Sequence, residues 1–98
     1  MTPTEIVNAW NQGASCVKVF PVQAVGGVNY IKSLQGPLGE IPLIPTGGVT
    51  LENAPEFIQA GAIAVGLSGQ LFPERLVREG NWQAIASHAN QLMQSVTT

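Results

Sequence analysis

A single lysine in the middle of an apolar run is the residue best placed to do chemistry in this sequence. The run covers residues 16–21 (CVKVFP), and its β-branched residues predict a strand that is buried on both faces. An ammonium loses hydration on burial unless it is paired or neutral, so Lys18 needs a reason to be there. Lys18 is either a reactive group or a residue that reaches solvent from a strand end or protects an exposed sheet edge.

The position of Lys18 along its strand favours the reactive interpretation. Phe20 and Pro21 end the strand directly after it, so Lys18 lies near the carboxyl end, where parallel sheets hold their active sites. Apolar surroundings disfavour the charged form of a lysine, and we therefore expect a neutral amine. A neutral amine attacks ketones, which makes Lys18 a candidate nucleophile.

Glycine-rich loops follow the other two predicted strands. Residues 46–48 (TGG) follow the second strand, and residues 66–69 (GLSG) follow the third. Glycines leave backbone amides open to close approach, and amides at the start of a helix attract anions. One Gly-Gly pair is more often a turn, but two such loops at neighbouring strand ends predict a phosphate site of the kind found in (β/α)8 barrels.

The elements that would position these residues alternate along the chain. Residues 2–5 (TPTE) carry the capping signals of a first helix, which Gly13 ends. Strands are predicted at 16–20, 41–45 and 62–67, with Pro42 opening the second. Helices are predicted through 28–34 with a break at 35–37, from a Thr50 cap to Gly61, and from Leu71 onward with an interruption near Gly80. The predicted buried stripe of the last helix is Trp82, Ile85, Ala86, Ala89, Leu92 and Met93.

Residues 12–17 and 60–65 repeat the same helix stop and strand start, which supports this layout. The chain reads as one helix followed by three strand–helix units joined by short loops. This order predicts an α/β fold with parallel strands and right-handed crossovers.

The composition indicates a single small globular unit over residues 1–98. The chain is 45% hydrophobic and only 10% charged, with a net charge of −2. Its four lysines and arginines form no basic stripe, which argues against nucleic acid or an anionic membrane as a partner. No stretch is long enough to cross a bilayer and no signal peptide is evident, so we expect a cytoplasmic protein. The single Cys16 is expected to be a buried apolar residue.

Together these motifs resemble one known family. Over essentially the whole chain they are similar to the C-terminal half of the 2-dehydro-3-deoxy-phosphogluconate (KDPG) / 4-hydroxy-2-oxoglutarate aldolases. The segments that carry the resemblance are 17–21 (VKVFP), 26–27 (GG), 36–37 (GP), 44–49 (IPTGGV) and 66–73 (GLSGQLFP).

The resemblance implies a partial (β/α)8 barrel, with three parallel strands alternating with helices, from a family of trimeric class I aldolases. It implies that Lys18 forms a Schiff base with pyruvate or the keto acid, so that the carbon–carbon bond breaks without a metal ion or other cofactor. The implied reaction is cleavage of KDPG to pyruvate and glyceraldehyde 3-phosphate, or of a related 4-hydroxy-2-oxo acid. The implied substrate and phosphate contacts are Pro21, Thr46, Gly47, Gly48, Gly66, Ser68 and Gly69.

The sequence departs from the family pattern in two respects. The last loop reads Ser68-Gly69 where the family commonly has Gly-Ser, which moves the hydroxyl while the backbone donors can survive. Such a barrel also runs to about 200 residues or more, and its first five strands, with the general-base glutamate and the groups that hold the keto acid's carboxylate, have no counterpart here. The six glutamates of this chain all fall in predicted helices or loops away from the strand ends.

Three hypotheses follow. The first is an aldolase-type lyase with Lys18 as nucleophile. The second is an incomplete barrel that keeps the phosphate site or only the fold, and has no turnover. The third is another phosphate-binding barrel such as thiamine phosphate synthase, which the lysine strand disfavours. Exposed parallel edges also predict a homo-oligomer.

Overall fold

A computed structural model describes residues 1–97 of the protein and confirms the alternation of helices and strands. Its elements come in the predicted order. The helices are α1 (Pro3–Asn11), α2 (Gly27–Leu38), α3 (Ala54–Gln59), α4 (Glu74–Arg78) and α5 (Trp82–Thr97), the strands are β1 (Val17–Val19) and β2 (Leu43–Pro45), and a 3₁₀ turn spans Val22–Val25.

The start of α1 is the predicted capping box. The Thr2 hydroxyl accepts a hydrogen bond from the Glu5 N–H at 3.3 Å, and the Glu5 carboxylate accepts one from the Thr2 N–H at 2.8 Å. Both bonds satisfy amides that a helix start leaves without partners. Gly13, at a φ of +98°, lets the chain reverse after the helix as predicted.

The second helix is longer than the sequence predicts. A break was expected at residues 35–37, but α2 continues through Pro37 to Leu38. A residue before proline normally avoids the helical conformation because its Cβ meets the proline ring. Gly36 has no Cβ, so the helix passes this point and ends one residue later.

The two strands are parallel, as predicted, and pair with Val17 opposite Leu43, Lys18 opposite Ile44 and Val19 opposite Pro45. Pro42 lies directly before β2, where its carbonyl accepts a hydrogen bond from the Val17 N–H at 2.8 Å. Within the part of the chain that the structure describes, the sheet has these two strands.

The third predicted strand, residues 62–67, lies beside β2 without forming a regular ladder. The Ile63 N–H donates to the Leu43 carbonyl, the Gly66 N–H donates to the Pro45 carbonyl, and Thr46 and Gly66 form an isolated parallel bridge. Pro45 has no N–H to donate back at this edge, so one hydrogen bond of the ladder cannot form.

The hydrophobic core lies on one face of the sheet. Val17, Val19 and Leu43 point into it, and the helices contribute Ile6, Ile31, Leu34, Phe57 and Leu92. The opposite face is open: Lys18 is exposed, Ile44 is half-buried and Ile63 is 60% exposed. The prediction of a strand buried on both faces is therefore wrong, because the core that these helices build covers only one face.

The last helical stretch is divided and partly solvated. Gly80, at a φ of +67°, separates α4 from α5, in agreement with the predicted interruption. Ile85 and Leu92 are buried as predicted, but Trp82 is 63% exposed and Met93 is 56% exposed, so their assignment to the core is wrong. None of the helices described in residues 1–97 combines the length and the apolar character that crossing a membrane requires.

Candidate active site

Lys18 lies on the open face of β1, one residue before the strand ends. Its Nζ is 5.8 Å from the centroid of the Phe20 ring, which projects from the same side of the chain two residues later. A ring at this distance attracts an ammonium, by about 0.5–1 kcal/mol at an exposed position. The predicted apolar enclosure of Lys18 is absent from the described chain, and the amine is instead accessible to solvent and to solutes.

The two glycine loops meet in one cavity of about 290 Å³, which we call the glycine-loop cavity. Phe20 forms part of its wall. Six of the seven predicted substrate-binding residues line it, and Pro21 is the exception. The predicted nucleophile Lys18 does not line it either. The complete lining is Phe20, Thr46, Gly47, Gly48, Val49, Thr50, Gly66, Leu67, Ser68, Gly69 and Gln70.

Close approach explains the glycines at two of these positions. Gly47 has a φ of +84°, which side-chain-bearing residues rarely adopt, and a Cβ there would lie 2.8 Å from the Phe20 ring. A Cβ at Gly66 would lie 2.5 Å from the Thr46 Oγ1. The loops can therefore come together at this end of the sheet only without side chains at these two positions.

Hydrogen bonds from the 3₁₀ turn orient the first glycine loop. The Val22 N–H donates to the Thr46 carbonyl at 2.8 Å, and the Gln23 N–H donates to the Gly47 carbonyl at 3.0 Å. In a trans peptide the carbonyl and the following N–H point in opposite directions. The Gly47 N–H therefore faces the Gly66 side, and the Gly48 N–H also faces away from the turn. Within residues 1–97 the Gly48 N–H donates no hydrogen bond.

The second loop contributes in a similar way. The Ser68 carbonyl accepts hydrogen bonds from the Leu71 and Phe72 amides at 3.0 and 2.9 Å. By the same trans geometry, the Gly69 N–H faces away from that turn. Ser68 is exposed and adds a hydroxyl to the cavity. Successive amides that converge in this way attract anions.

The charge at the site is as informative as its shape. None of the side chains that line the glycine-loop cavity in the described chain is ionisable as an acid or a base near neutral pH. Glu52 and Glu56 lie on α3 or on the turn before it, and both are exposed. Among residues 1–97 no group of three or more histidine, cysteine, aspartate or glutamate side chains could hold a metal ion. An anion here would be bound by backbone dipoles and hydroxyl groups.

Sequence reasoning missed the role of Phe20, which was read only as the end of the strand. The available signal is its spacing: residues two apart on a strand project from the same side, so Phe20 had to lie beside Lys18. The residue thus connects the lysine to the glycine loops.

Comparisons with known proteins show which family this chain resembles. The family model described as KDPG and KHG aldolase matches residues 1–88. A 2-dehydro-3-deoxy-phosphogluconate aldolase from Haemophilus influenzae is 39% identical over 84 residues, which are 85% of this chain and 39% of that protein. A 2-dehydro-3-deoxy-6-phosphogalactonate aldolase from Escherichia coli is 40% identical over 72 residues, 72% of this chain and 35% of that protein.

Two solved structures have a similar fold. One is described as a native KDPGal structure, with a TM-score of 0.78 and 34% identity over 99% of this chain and 47% of that one. The other is a 4-hydroxy-2-oxoglutarate/2-dehydro-3-deoxyphosphogluconate aldolase, with a TM-score of 0.82 and 26% identity over 99% of this chain and 46% of that one. The chain thus spans less than half the length of these relatives.

Proposed function

Because the chain belongs to the KDPG and KHG aldolase family, we propose that it carries the Schiff-base lysine and the phosphate site of a class I aldolase. The proposed substrate is KDPG or a related 4-hydroxy-2-oxo acid. The observation that supports this most directly is the placement of Phe20, which lies beside the Lys18 amine and also lines the glycine-loop cavity. A nucleophile and an anion site at one end of a parallel sheet match a phosphorylated ketone.

In this proposal the neutral Lys18 amine adds to the ketone carbon, and loss of water leaves an iminium. The bond between the third and fourth carbons then breaks. Its electron pair moves to the iminium, which becomes an enamine. The hydroxyl on the fourth carbon gives its proton to water and becomes the carbonyl of the aldehyde, which leaves. Protonation and hydrolysis of the enamine release pyruvate and the free amine. No metal ion or other cofactor takes part.

The phosphate would bind to the amides of Gly48 and Gly69 and to the Ser68 hydroxyl, while the Gly47 N–H faces Gly66 at the bridge between the loops. Gly66 provides the space that brings the second loop to Thr46, and the Thr46 hydroxyl itself donates to the Ile44 carbonyl at 3.3 Å. Pro21 borders the site beside Gly47 without lining the cavity. Its proposed part is to support the loop.

The proposed architecture is a partial (β/α)8 barrel whose interior face carries Lys18. The open face of the sheet, with Lys18, Ile44 and Ile63, corresponds in this view to the inside of a barrel that further strands would cover. We propose that another copy of the chain covers it, so that the protein is a homo-oligomer, and that it acts in the cytoplasm.

One observation favours a second candidate function, which is phosphate binding without turnover. Lys18 is exposed, and no carboxylate among residues 1–97 lines the glycine-loop cavity as a general base. Loss of general acid–base help costs roughly 10²- to 10⁴-fold in rate. The family match argues against the third hypothesis, a thiamine phosphate synthase.

Steady-state cleavage of KDPG by the purified chain, followed through pyruvate formation, separates the two functions. The aldolase function predicts turnover of roughly 1–10³ s⁻¹, as in ordinary enzymes, and its loss in a Lys18→Ala variant. Phosphate binding with pyruvate formation no faster than in the Lys18→Ala variant would establish the second function and contradict the first.

A further inference from the structure

The side chain of Asn53 is directed at the glycine loop and not at the helix that it precedes. Asn53 stands at the N-terminal boundary of α3, where an asparagine normally accepts a hydrogen bond from the first turn. It accepts no such bond. Instead, its Oδ1 accepts from the Thr50 N–H at 2.7 Å, and its Nδ2 donates to the Gly48 carbonyl at 3.1 Å.

The bond to the Gly48 carbonyl fixes the orientation of the next peptide. Since carbonyl and following N–H are opposed in a trans peptide, the Val49 N–H must point away from Asn53. Asn53 lines a polar cleft of about 540 Å³ on one side of the loop, whereas Val49 lines the glycine-loop cavity on the other. Within the described chain the Val49 N–H donates no hydrogen bond.

Three successive peptides are therefore held from the same side. The Thr46 and Gly47 carbonyls are held by the Val22 and Gln23 amides, and Gln23, like Asn53, lines the polar cleft. The third carbonyl, that of Gly48, is held by the Asn53 side chain. The first two donors belong to the backbone and survive any side-chain substitution except proline, so Asn53 is the position at which the arrangement can be altered.

We propose that Asn53 is a positioning residue for the anion site: it holds the Gly48 carbonyl so that the Val49 N–H is presented to the glycine-loop cavity beside the Gly48 N–H. The inference rests on the proposed function, because it assumes that this cavity binds phosphate. Asn53 itself does not touch the anion.

The test is a titration of the purified full chain with inorganic phosphate, followed through the amide chemical shifts of Gly48 and Val49. Asn53→Asp keeps an acceptor for the Thr50 N–H but loses the donor to Gly48. We expect the dissociation constant to rise roughly ten- to a hundredfold, as for the loss of one amide–anion hydrogen bond. The Val49 shift should stop responding to phosphate while the Gly48 shift still responds.

Two further variants separate geometry from charge and from folding. Asn53→Ala removes the donor without adding charge and should weaken binding in the same range. Asn29→Asp makes the same change of charge at an exposed residue of the polar cleft, and should leave the dissociation constant within about twofold because solvent screens it.

Weaker binding by both Asn53 variants, with Asn29→Asp unaffected, supports the inference. Unchanged binding by the Asn53 variants, or equal weakening by Asn29→Asp, overturns it and leaves the proposed function intact. If the unsubstituted chain binds no phosphate, both fail.

Discussion

The Lys18 ammonium lies 5.8 Å from the centroid of the Phe20 ring, and the same ring is part of the wall of the glycine-loop cavity. Lys18 lies on β1 and Phe20 follows directly after the strand, two residues later, so both side chains project from the same side of the chain. The amine and the loops are thereby brought to the same end of the sheet. A ketone whose phosphate binds in the cavity would lie near the Lys18 amine, so we expect such a ketone to react with Lys18 faster than with an ordinary exposed lysine.

Borohydride reduction in the presence of pyruvate should place a pyruvyl group on Lys18. The reason is that the proposed mechanism requires the Lys18 amine to condense with the ketone, and reduction traps the iminium. Peptide mass spectrometry locates the adduct. Lys32, also exposed and on α2, is the chain's other lysine and serves as an internal control that should stay unmodified.

A Lys18→Arg variant should form no adduct, since a guanidinium does not condense under these conditions. Equal modification of Lys18 and Lys32 would show that the reaction reports only exposure, and would contradict a specific site at Lys18.

Gly66→Ala should destabilise the protein by about 1–3 kcal/mol, the usual cost of overpacking. The added Cβ would lie 2.5 Å from the Thr46 Oγ1, at the bridge that joins the two loops. Chemical denaturation measures the change. In a Thr46→Ala background the same substitution should cost clearly less, because the two nearest atoms that it meets, Oγ1 and Cγ2 of Thr46, are gone.

Gly69→Ala is the matched control for that experiment. Gly69 lies in the same loop with nothing within 4 Å of an added Cβ, so its effect on stability should stay within about 0.5 kcal/mol. If Gly66→Ala costs the same in both Thr46 backgrounds, the contact between these two residues does not limit the loop.

The open sheet face should make the chain self-associate at micromolar concentration. Ile63 is 60% exposed and lines an apolar groove together with Leu92, Met93 and Val96, and exposed apolar surface of this kind favours association. Ile63→Glu should shift the sedimentation profile toward monomer. Val77→Glu, at a residue of α4 that is 42% exposed, should not. A monomeric unsubstituted chain would contradict the proposed oligomer.

Acid should weaken the start of α1. The hydrogen bond from the Thr2 N–H, followed by that from the Thr2 hydroxyl, lowers the pKa of Glu5 below its ordinary value of 4.5. A carboxyl with a lowered folded-state pKa stabilises the fold fully above its unfolded-state value, and this contribution disappears as pH falls through the folded-state value. The melting temperature of the protein should therefore exceed that of a Glu5→Gln variant near neutral pH.

The difference between the two melting curves should narrow below pH 4.5 and vanish in stronger acid. Glu40→Gln, at an exposed residue without a side-chain hydrogen bond in the described chain, should track the unsubstituted protein throughout. A constant difference for Glu5→Gln at all pH values would show that the capping box does not act through the ionised carboxylate.

Local signals in the sequence were sufficient for the order of elements and for six of the residues that line the cavity, but not for Phe20. The capping box at Thr2 and Glu5 follows from residues three apart, whereas the parallel pairing of the strands and the meeting of the Gly47 and Gly66 loops follow from the alternation of strands and helices. Strand ends of a parallel sheet must share one edge, so loops that follow them must converge.

Other features depend on which elements pack against each other, and the hydrophobic periodicity of the sequence does not specify this. An apolar strand predicts burial without saying on how many faces, and β1 is covered on one. Trp82 has the spacing of a core residue, yet lies at the first position of α5 and is exposed. The hydrogen bond missing at Pro45 depends on a segment that is distant in sequence. The hydrogen bond from Asn53 to Gly48 depends on the direction of the Asn53 side chain.

The one-sided core also bears on how this protein can evolve. Substitutions at Lys18 remove little packing, so folding does not resist them, whereas Val17 and Val19 on the other side of the same strand are held by the core. A homologue that lost the lysine by genetic drift would still fold. A lysine retained at such a position would record selection for its chemistry, and its loss would leave the architecture standing without the reaction.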